Sequence, residues 1–432
     1  MIKKIFHSVK YVFSEGKLDI KLKKDKDYVY ANIDDTHTTE ILLPYTVDNN
    51  NSEEYILKVA LRNPINSEPL DKIVKTGEKI VIITSDITRP MNSKIVLPYI
   101  LQELQNANIN KDDITIVLAL GSHRKHTEEE KIHLVGEEVY KTIKIIDSDM
   151  NDCKNFGTCK NGTPVDIFTP VAEADRIICL GNVEYHYFAG YSGGAKAIMP
   201  GVSSYAAIQA NHSNMVKDGS FAGNLDTNPV RQDIDEVGKH IKIDFIFNVL
   251  QASDKTIVGA FAGHYIDAHR AACRALDAMY KVNIKEKADV VIVSPGGYPK
   301  DINIYQAQKA LDNARHAVKD GGTIILCASC REGFENNIFE KWMMTKTKEQ
   351  MVKEIKENFV LGGHKAAAIA MTLMKSEIYM VTDYDKTTIE HMGFKYFNNL
   401  QDAVDSALNK YGHDSTVIVM PAGGSTLPNY EG

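Results

Sequence analysis

Eight short apolar runs punctuate the chain, at 79–84, 114–120, 176–180, 244–250, 290–293, 323–327, 377–382 and 416–420. Each is rich in β-branched side chains and apolar nearly throughout. A strand buried on both faces reads this way, because neither face needs polar residues. Stretches of helical periodicity lie between the runs, such as 94–107, 268–280 and 347–358. Strand alternating with helix predicts an α/β fold with mainly parallel sheets. The first 40 residues differ. Segment 28–32 alternates, which suggests a small antiparallel or edge element. The best boundary falls at 280–289, where a helix ends, polar residues follow and a new strand begins. The expectation is two α/β domains facing a shared cleft, 1–280 and 281–432. The last strand, near 416–420, can belong to either.

Composition narrows the class. A chain of 432 residues has room for two to three domains and a full core. Its formal charge is −7, with 44% hydrophobic and 25% charged residues. That balance argues against a general nucleic-acid binder, which needs a basic face. No run approaches the roughly 18 apolar residues of a membrane span. The opening residues are charged but lack the apolar core of a signal peptide, so the cytoplasm is the expected compartment. Six cysteines in so long a chain do not read as a disulfide framework. Cys327 and Cys330 form a C-x-x-C without a second pair at zinc spacing, and read as buried thiols before zinc or redox ligands.

The unusual residues follow the strands. The exits carry Asp86-Ile87-Thr88-Arg89-Pro90, Gly121-Ser122-His123-Arg124, Gly181 through His186, and Ser294-Pro295-Gly296-Gly297. Ligands of open α/β sheets bind beyond the carboxyl ends of strands, so four such exits suggest one composite site. Pro90 disfavours the helical region at Arg89. An extended Arg89 suits a carboxylate or phosphate, with Asp86 orienting it; an Asp–Arg pair that only fixes the turn is the alternative. Thr127 with Glu130 forms a capping box, so a helix should start there. His123, leaving the strand directly, is preferred over His126 as a general acid or base. Ser192-Gly193-Gly194 before a helical stretch offers backbone N–H groups to an anion, unless it is only a tight turn. Lys196 beside it can bind phosphate or act as a nucleophile. His212 is a possible metal ligand, yet no second ligand stands at helical spacing. Gln306 and Lys309 share a helix face that either holds a small anion or is merely solvated.

Taken together, these segments resemble the nickel-dependent lactate racemase family. The match runs through Asp86 to Pro90, Gly121 to Arg124, His186 to Gly201, Asn211-His212, and Gly296 to Lys309. His186 and Lys196 stand 10 residues apart, and Lys196 and His212 stand 16 apart, as in the family. The resemblance implies a nickel-pincer nucleotide (a pyridinium-3,5-bisthiocarboxylate mononucleotide carrying Ni(II)) attached covalently at Lys196. It implies His212 as nickel ligand and His123 with His186 as paired acid–base residues. It further implies Asp86, Ile87, Thr88 and Arg89 with Ser192, Gly193 and Gly194 as cofactor contacts. Arg89, Tyr305, Gln306 and Lys309 would touch substrate. Residues 1–280 would then hold the cofactor and 281–432 would contact substrate. A cofactor that supplies three donor atoms answers why no second metal ligand stands at helical spacing from His212.

The implied reaction is racemisation of a small anionic 2-hydroxy acid, lactate by default. One histidine takes the hydroxyl proton, hydride passes from C2 to the cofactor, and a 2-keto acid forms. Hydride return to the other face gives the other enantiomer. The cofactor carries the hard chemistry. Enzymes that make it are implied partners. Epimerisation or racemisation of a larger 2-hydroxy acid, such as a sugar acid or malate, is an alternative. Non-catalytic cofactor binding and protein-only metal hydrolysis are readings from other classes.

Overall fold

In a computed structural model, residues 16–44, 51–89, 91–252 and 254–430 are described, with the backbone of three two-residue strands at 4–5, 13–14 and 46–47. Pro90 lies outside the described residues. The chain divides into two compact units, 49–277 and 1–48 with 278–432. No helix among the described residues is long and apolar enough to cross a membrane.

In the 49–277 unit, six strands form one sheet. Their order across it is Ile257–Gly263, Phe245–Gln251, Arg176–Asn182, Ile80–Ser85, Ile114–Ala119, Lys144–Asp147. All neighbours are parallel except the Ile257–Gly263 edge. The first of these strands in sequence, Ile80–Ser85, lies centrally. Chain order runs outward from it to Ile114–Ala119 on one side and to Arg176–Asn182 on the other. Strand order therefore reverses between residues 80–85 and 176–182, and ligands of such sheets bind at that reversal. Ile80, Ile82, Ile116, Leu118, Ile178 and Phe247 of the sheet pack with Leu57, Val96, Leu97 and Ile100 of the helices Glu53–Arg62 and Ser93–Asn106.

The other unit carries a six-stranded, wholly parallel sheet. It is ordered Lys395–Phe397, Glu377–Val381, Val318–Cys327, Ala288–Val293, Thr416–Met420, Thr38–Ile41. The antiparallel hairpin of Lys17–Lys24 and Asp27–Asp34 buries alternate residues Leu18, Ile20 and Leu22. Ile20 and Leu22 share a core with Val290, Ile292, Ile325 and Val417. This differs from the boundary expected from sequence. The hairpin's apolar face is covered by the C-terminal strands, and Thr416–Met420 offers its edge to Thr38–Ile41. Residues 17–41 thus fold with 278–432.

All eight apolar runs are strands. Strands not expected include Lys144–Asp147, Ile257–Gly263 and Lys395–Phe397, short or rich in Gly and Ala at sheet edges, and Lys281–Ile284, which occupies part of the polar stretch read as a boundary. The Thr127–Glu130 capping box is formed in both directions. Thr127→Ala should therefore lower the unfolding free energy by about 1 kcal/mol in urea titration, as loss of an N-cap does; an unchanged midpoint would show that the cap contributes nothing.

Candidate active site

The exits at the strand reversal carry the chemistry. Asp86, at 3% exposure, follows Ile80–Ser85. One of its oxygens pairs with His123 Nδ1. The other accepts the N–H and hydroxyl of Thr88 at 2.9 and 2.7 Å. Burial alone would raise the Asp86 carboxyl, but the hydrogen bond and charge of His123, with Thr88 and Arg89, hold it below the usual range. The Asp86–Arg89 orientation expected from sequence is not what forms. Both carboxylate oxygens are occupied by His123 and Thr88, and the segment closes as a turn, with Arg89 N donating to Asp86 O at 3.2 Å. Arg89 is exposed.

His126 supports this turn. Its Nδ1 pairs with Asp147 at 2.6 Å, and its Nε2 accepts the Ile87 N–H at 3.1 Å. An Nε2 that accepts must be unprotonated, so the ring proton sits on Nδ1 and faces the carboxylate. His126 is thus a strut behind the Asp86 loop, and His123 is the histidine presented by it.

After Arg176–Asn182 the chain makes the small hairpin Tyr185–His186 and Gly190–Tyr191. His186 Nδ1 accepts the Ala189 N–H at 3.3 Å. Burial, then the charges of Lys196, Arg89, His212 and Arg231, push the His186 imidazole well below its ordinary value. The Phe188 ring joins the two histidines edge-on, 4.5 Å from His186 and 5.0 Å from His212 between centroids. His212 is buried on the helix Tyr205–Ser213. Neighbouring Asn211 ties that helix to Val230 O at 3.0 Å.

Lys196 lies in the single turn Gly194–Ala197. Burial, then Arg89 and Arg231, push its amine well below the ordinary lysine range, while Glu184 and Asp86 act the other way. Among the described residues no hydrogen bond or ion pair holds Lys196 Nζ. Of the N–H groups expected to cradle an anion, those of Gly194 and Ser192 are taken within the protein. Gly194 N–H donates to Asn248 Oδ1 at 2.9 Å, and Ser192 N–H to Glu184 O at 2.9 Å. Ser192 Oγ donates to Asn182 O at 2.8 Å. Gly193 and Gly194 have φ of +75° and +62°. A Cβ on Gly193 would meet Val183 Cγ2 at 2.7 Å, and one on Gly194 would meet His269 Cγ at 2.8 Å. Close packing and backbone conformation demand these glycines.

Four supporting residues escaped the sequence reading. Arg231, fully buried on Pro229–Glu236, donates to the carbonyls of Ala189, Tyr191 and Gly193. His269 donates from Nε2 to Ser192 O at 2.8 Å. Asp277 accepts the hydroxyls of Tyr185 and Tyr191 at 2.9 and 2.7 Å. Asn248 is the fourth. Only the Asn228-Pro229 helix start gave a signal, and it marks the helix rather than Arg231.

Tyr305, Gln306 and Lys309 belong to the other unit, on the helix Ile304–Ala314. Lys309 is exposed there, and Gln306 donates to Glu335 at 3.3 Å. Lys365 Nζ stands 3.9 Å over the Tyr305 ring.

Comparison with known proteins gives consistent matches. The lactate racemase N-terminal domain matches residues 25–223, and the lactate racemase C-terminal domain matches 283–427. The lactate racemase of Thermoanaerobacterium thermosaccharolyticum is 35% identical over 389 residues, 88% of this chain and 91% of that protein. The lactate racemase of Lactiplantibacillus plantarum is 33% identical over 417 residues, 94% of this chain and 98% of that protein. The solved lactate racemase apoprotein from the former organism aligns with a TM-score of 0.85 at 33% identity, over 95% of this chain and 100% of that one. A Thermotoga maritima protein shares the fold at a TM-score of 0.63 and 16% identity.

The Asp86–His123 pair makes a pH prediction. Because the folded Asp86 titrates below its unfolded value, its ionised carboxylate adds stability at neutral pH. That stability is lost as pH falls below about 4 and through the folded pKa. Denaturant titrations should show the unmodified chain losing stability more steeply than Asp86→Asn in that acid range; parallel pH profiles would remove the pairing.

Proposed function

This chain belongs to the lactate racemase family, and from that premise we propose that it interconverts the enantiomers of lactate, with His123 and His186 as the acid–base pair. The observation that carries the reading is the contrast between the two rings. Asp86 takes the Nδ1 proton of His123, so the His123 Nε2 lone pair is available as a base. Ala189 N–H takes the Nδ1 lone pair of His186, so a neutral His186 ring carries its proton on Nε2. His123 is set to receive a proton at Nε2, and neutral His186 presents its Nε2–H as a hydrogen-bond donor. A protein that only carried a cofactor would need neither.

The C2 hydrogen of a 2-hydroxy carboxylate is a poor acid, so removal of that hydrogen as a proton is unfavourable. The family implies a nickel-pincer nucleotide, and the residues present fit it. Lys196 offers a desolvated amine with its ammonium form disfavoured. His212 offers a buried imidazole. Among the described residues, the group of three side chains close enough to share a metal ion is Cys159, Asp233 and Glu236, which does not include His212. Nickel on His212 would therefore take its other donors from the cofactor. Lys196 would hold that group covalently and His212 would ligate its metal. When bound, the group supplies a hydride acceptor for C2.

The protein's own part is proton handling and orientation. His123 Nε2 removes the hydroxyl proton of one enantiomer, and Asp86 stabilises the imidazolium that results. His186 is proposed to act on the other enantiomer, in the tautomer that gives up the Ala189 N–H, carries the ring proton on Nδ1 and frees Nε2 as the base. Two bases are required because the hydroxyl changes position when C2 inverts. Arg89, exposed and cationic, is proposed to meet the phosphate or the substrate carboxylate; Asp86 to Thr88 and Ser192 to Gly194 shape the walls. Tyr305, Gln306 and Lys309 are proposed substrate contacts, with the Lys309 ammonium for the carboxylate. The same reading carries the cofactor-making enzymes as partners and the cytoplasm as the compartment.

The test uses holoenzyme made alongside cofactor-synthesis enzymes, with racemisation followed by optical activity from each enantiomer. His123→Ala and His186→Ala should each lower kcat by about 10²- to 10⁴-fold, the range of histidine acid–base catalysis. Full activity in both variants would return the chain to the carrier reading. Turnover of a sugar acid or malate without turnover of lactate would move the substrate and leave the histidine roles standing.

A further inference from the structure

We propose that Arg231 is a positioning residue for Lys196, bracing its loop through three backbone carbonyls and adding a fixed positive charge to the surroundings of its amine. The inference rests on the reading of Lys196 as the attachment lysine. Arg231 has 0% exposure. Its Nε donates to Ala189 O at 3.3 Å, one Nη donates to Tyr191 O, and the other reaches Gly193 O at 3.5 Å. Residues 189, 191 and 193 are alternate positions. The chain between them turns, with Tyr191 N–H donating to Ala189 O at 2.9 Å and Gly190 and Gly193 at φ of +77° and +75°. The three carbonyls of this turn are gathered by a planar fork, which an ammonium cannot reproduce.

The link to Lys196 is one atom long. Gly193 O, reached by Arg231, also accepts the Lys196 N–H at 3.3 Å. Asn228 secures the other side, accepting the N–H groups of Val230 and Arg231 at 3.0 and 3.1 Å and donating to Phe188 O at 2.9 Å. Asp235 lies 3.6 Å from Arg231 and is shared with Arg270. It offsets the guanidinium charge in part.

Charge is the second half of the role. Burial opposes protonation of Lys196 first, then Arg89 and Arg231; Glu184 and Asp86 favour it. The charge of Lys196 in turn disfavours protonation of His186. A neutral amine is the nucleophilic form. Arg231 therefore serves attachment by disfavouring the ammonium while holding the loop that presents it.

Trace acetylation of the apoprotein by acetic anhydride reads this directly. The neutral amine forms an N–C bond, acetate leaves, and the amine proton passes to solvent. Peptide mass spectrometry gives the pH midpoint of Lys196 labelling, with exposed Lys160 as internal reference. The midpoint for Lys196 should lie below that of Lys160. Arg231→Gln keeps donors for the carbonyls but loses the charge, and should move the midpoint up toward Lys160. Arg231→Lys restores the charge and should bring it back. Should Arg231→Gln fail to fold, Asp235→Asn, which removes the offsetting carboxylate, should move the midpoint further down. Matching midpoints for Lys196 and Lys160 in the unmodified chain, or a midpoint indifferent to every one of these changes, would overturn the proposal. A low Lys196 midpoint in a protein that never gains a nucleotide-sized adduct would remove the attachment reading alone.

Discussion

Three backbone carbonyls, of Ala189, Tyr191 and Gly193, converge on the buried guanidinium of Arg231. Together with Asp235 they compensate the buried guanidinium; without Arg231 each carbonyl would lose a hydrogen bond away from water. That mutual requirement determines the path of the 189–193 segment. His186 bonds to the N–H of Ala189 at one end, and Lys196 bonds to the carbonyl of Gly193 at the other. His269 and Asn248 close the same loop from the side, through Ser192 O and the Gly194 N–H. Lys196 and His186 thus share one support, although ten residues separate them.

The sheet explains why this support stands beside Asp86. Ile80–Ser85 and Arg176–Asn182 are adjacent and parallel, and strand order reverses between them. Their exits emerge side by side, one carrying Asp86 and the other leading to His186. The Asp147–His126 pair then holds the Asp86 turn through Ile87 N–H. Two histidines only three positions apart in sequence thereby take different duties. His126 is enclosed as a brace, and His123 is left partly exposed, with its side chain at 25%.

Much of this was legible in the sequence, and the limits have physical causes. The eight central strands declare themselves because burial on both faces leaves continuous apolar runs. The edge strands do not, since Ile257–Gly263 is diluted by Gly and Ala. The chain-order boundary misplaced residues 17–41, because the partner of that hairpin's apolar face lies hundreds of residues away. Residue chemistry at strand exits pointed to Asp86, His123, His186 and Lys196. At Ser192-Gly193-Gly194 the sequence could not show that the Gly194 N–H faces Asn248, since a Gly-Gly turn looks the same whatever its N–H groups meet. Arg231 and His269 gave no signal, because a buried polar brace has no local pattern; only the fold brings it to its partner.

The account's central claim is that Lys196 is the residue to which a nickel-carrying nucleotide is attached, within a loop built for that purpose. Intact-mass measurement of the protein made with and without cofactor-synthesis enzymes, combined with nickel analysis, tests it most directly. The account predicts a nucleotide-sized mass increment that maps to Lys196 and disappears in Lys196→Ala, with nickel that depends on His212. An unmodified Lys196 in racemisation-competent protein, or an increment that survives Lys196→Ala, would contradict it.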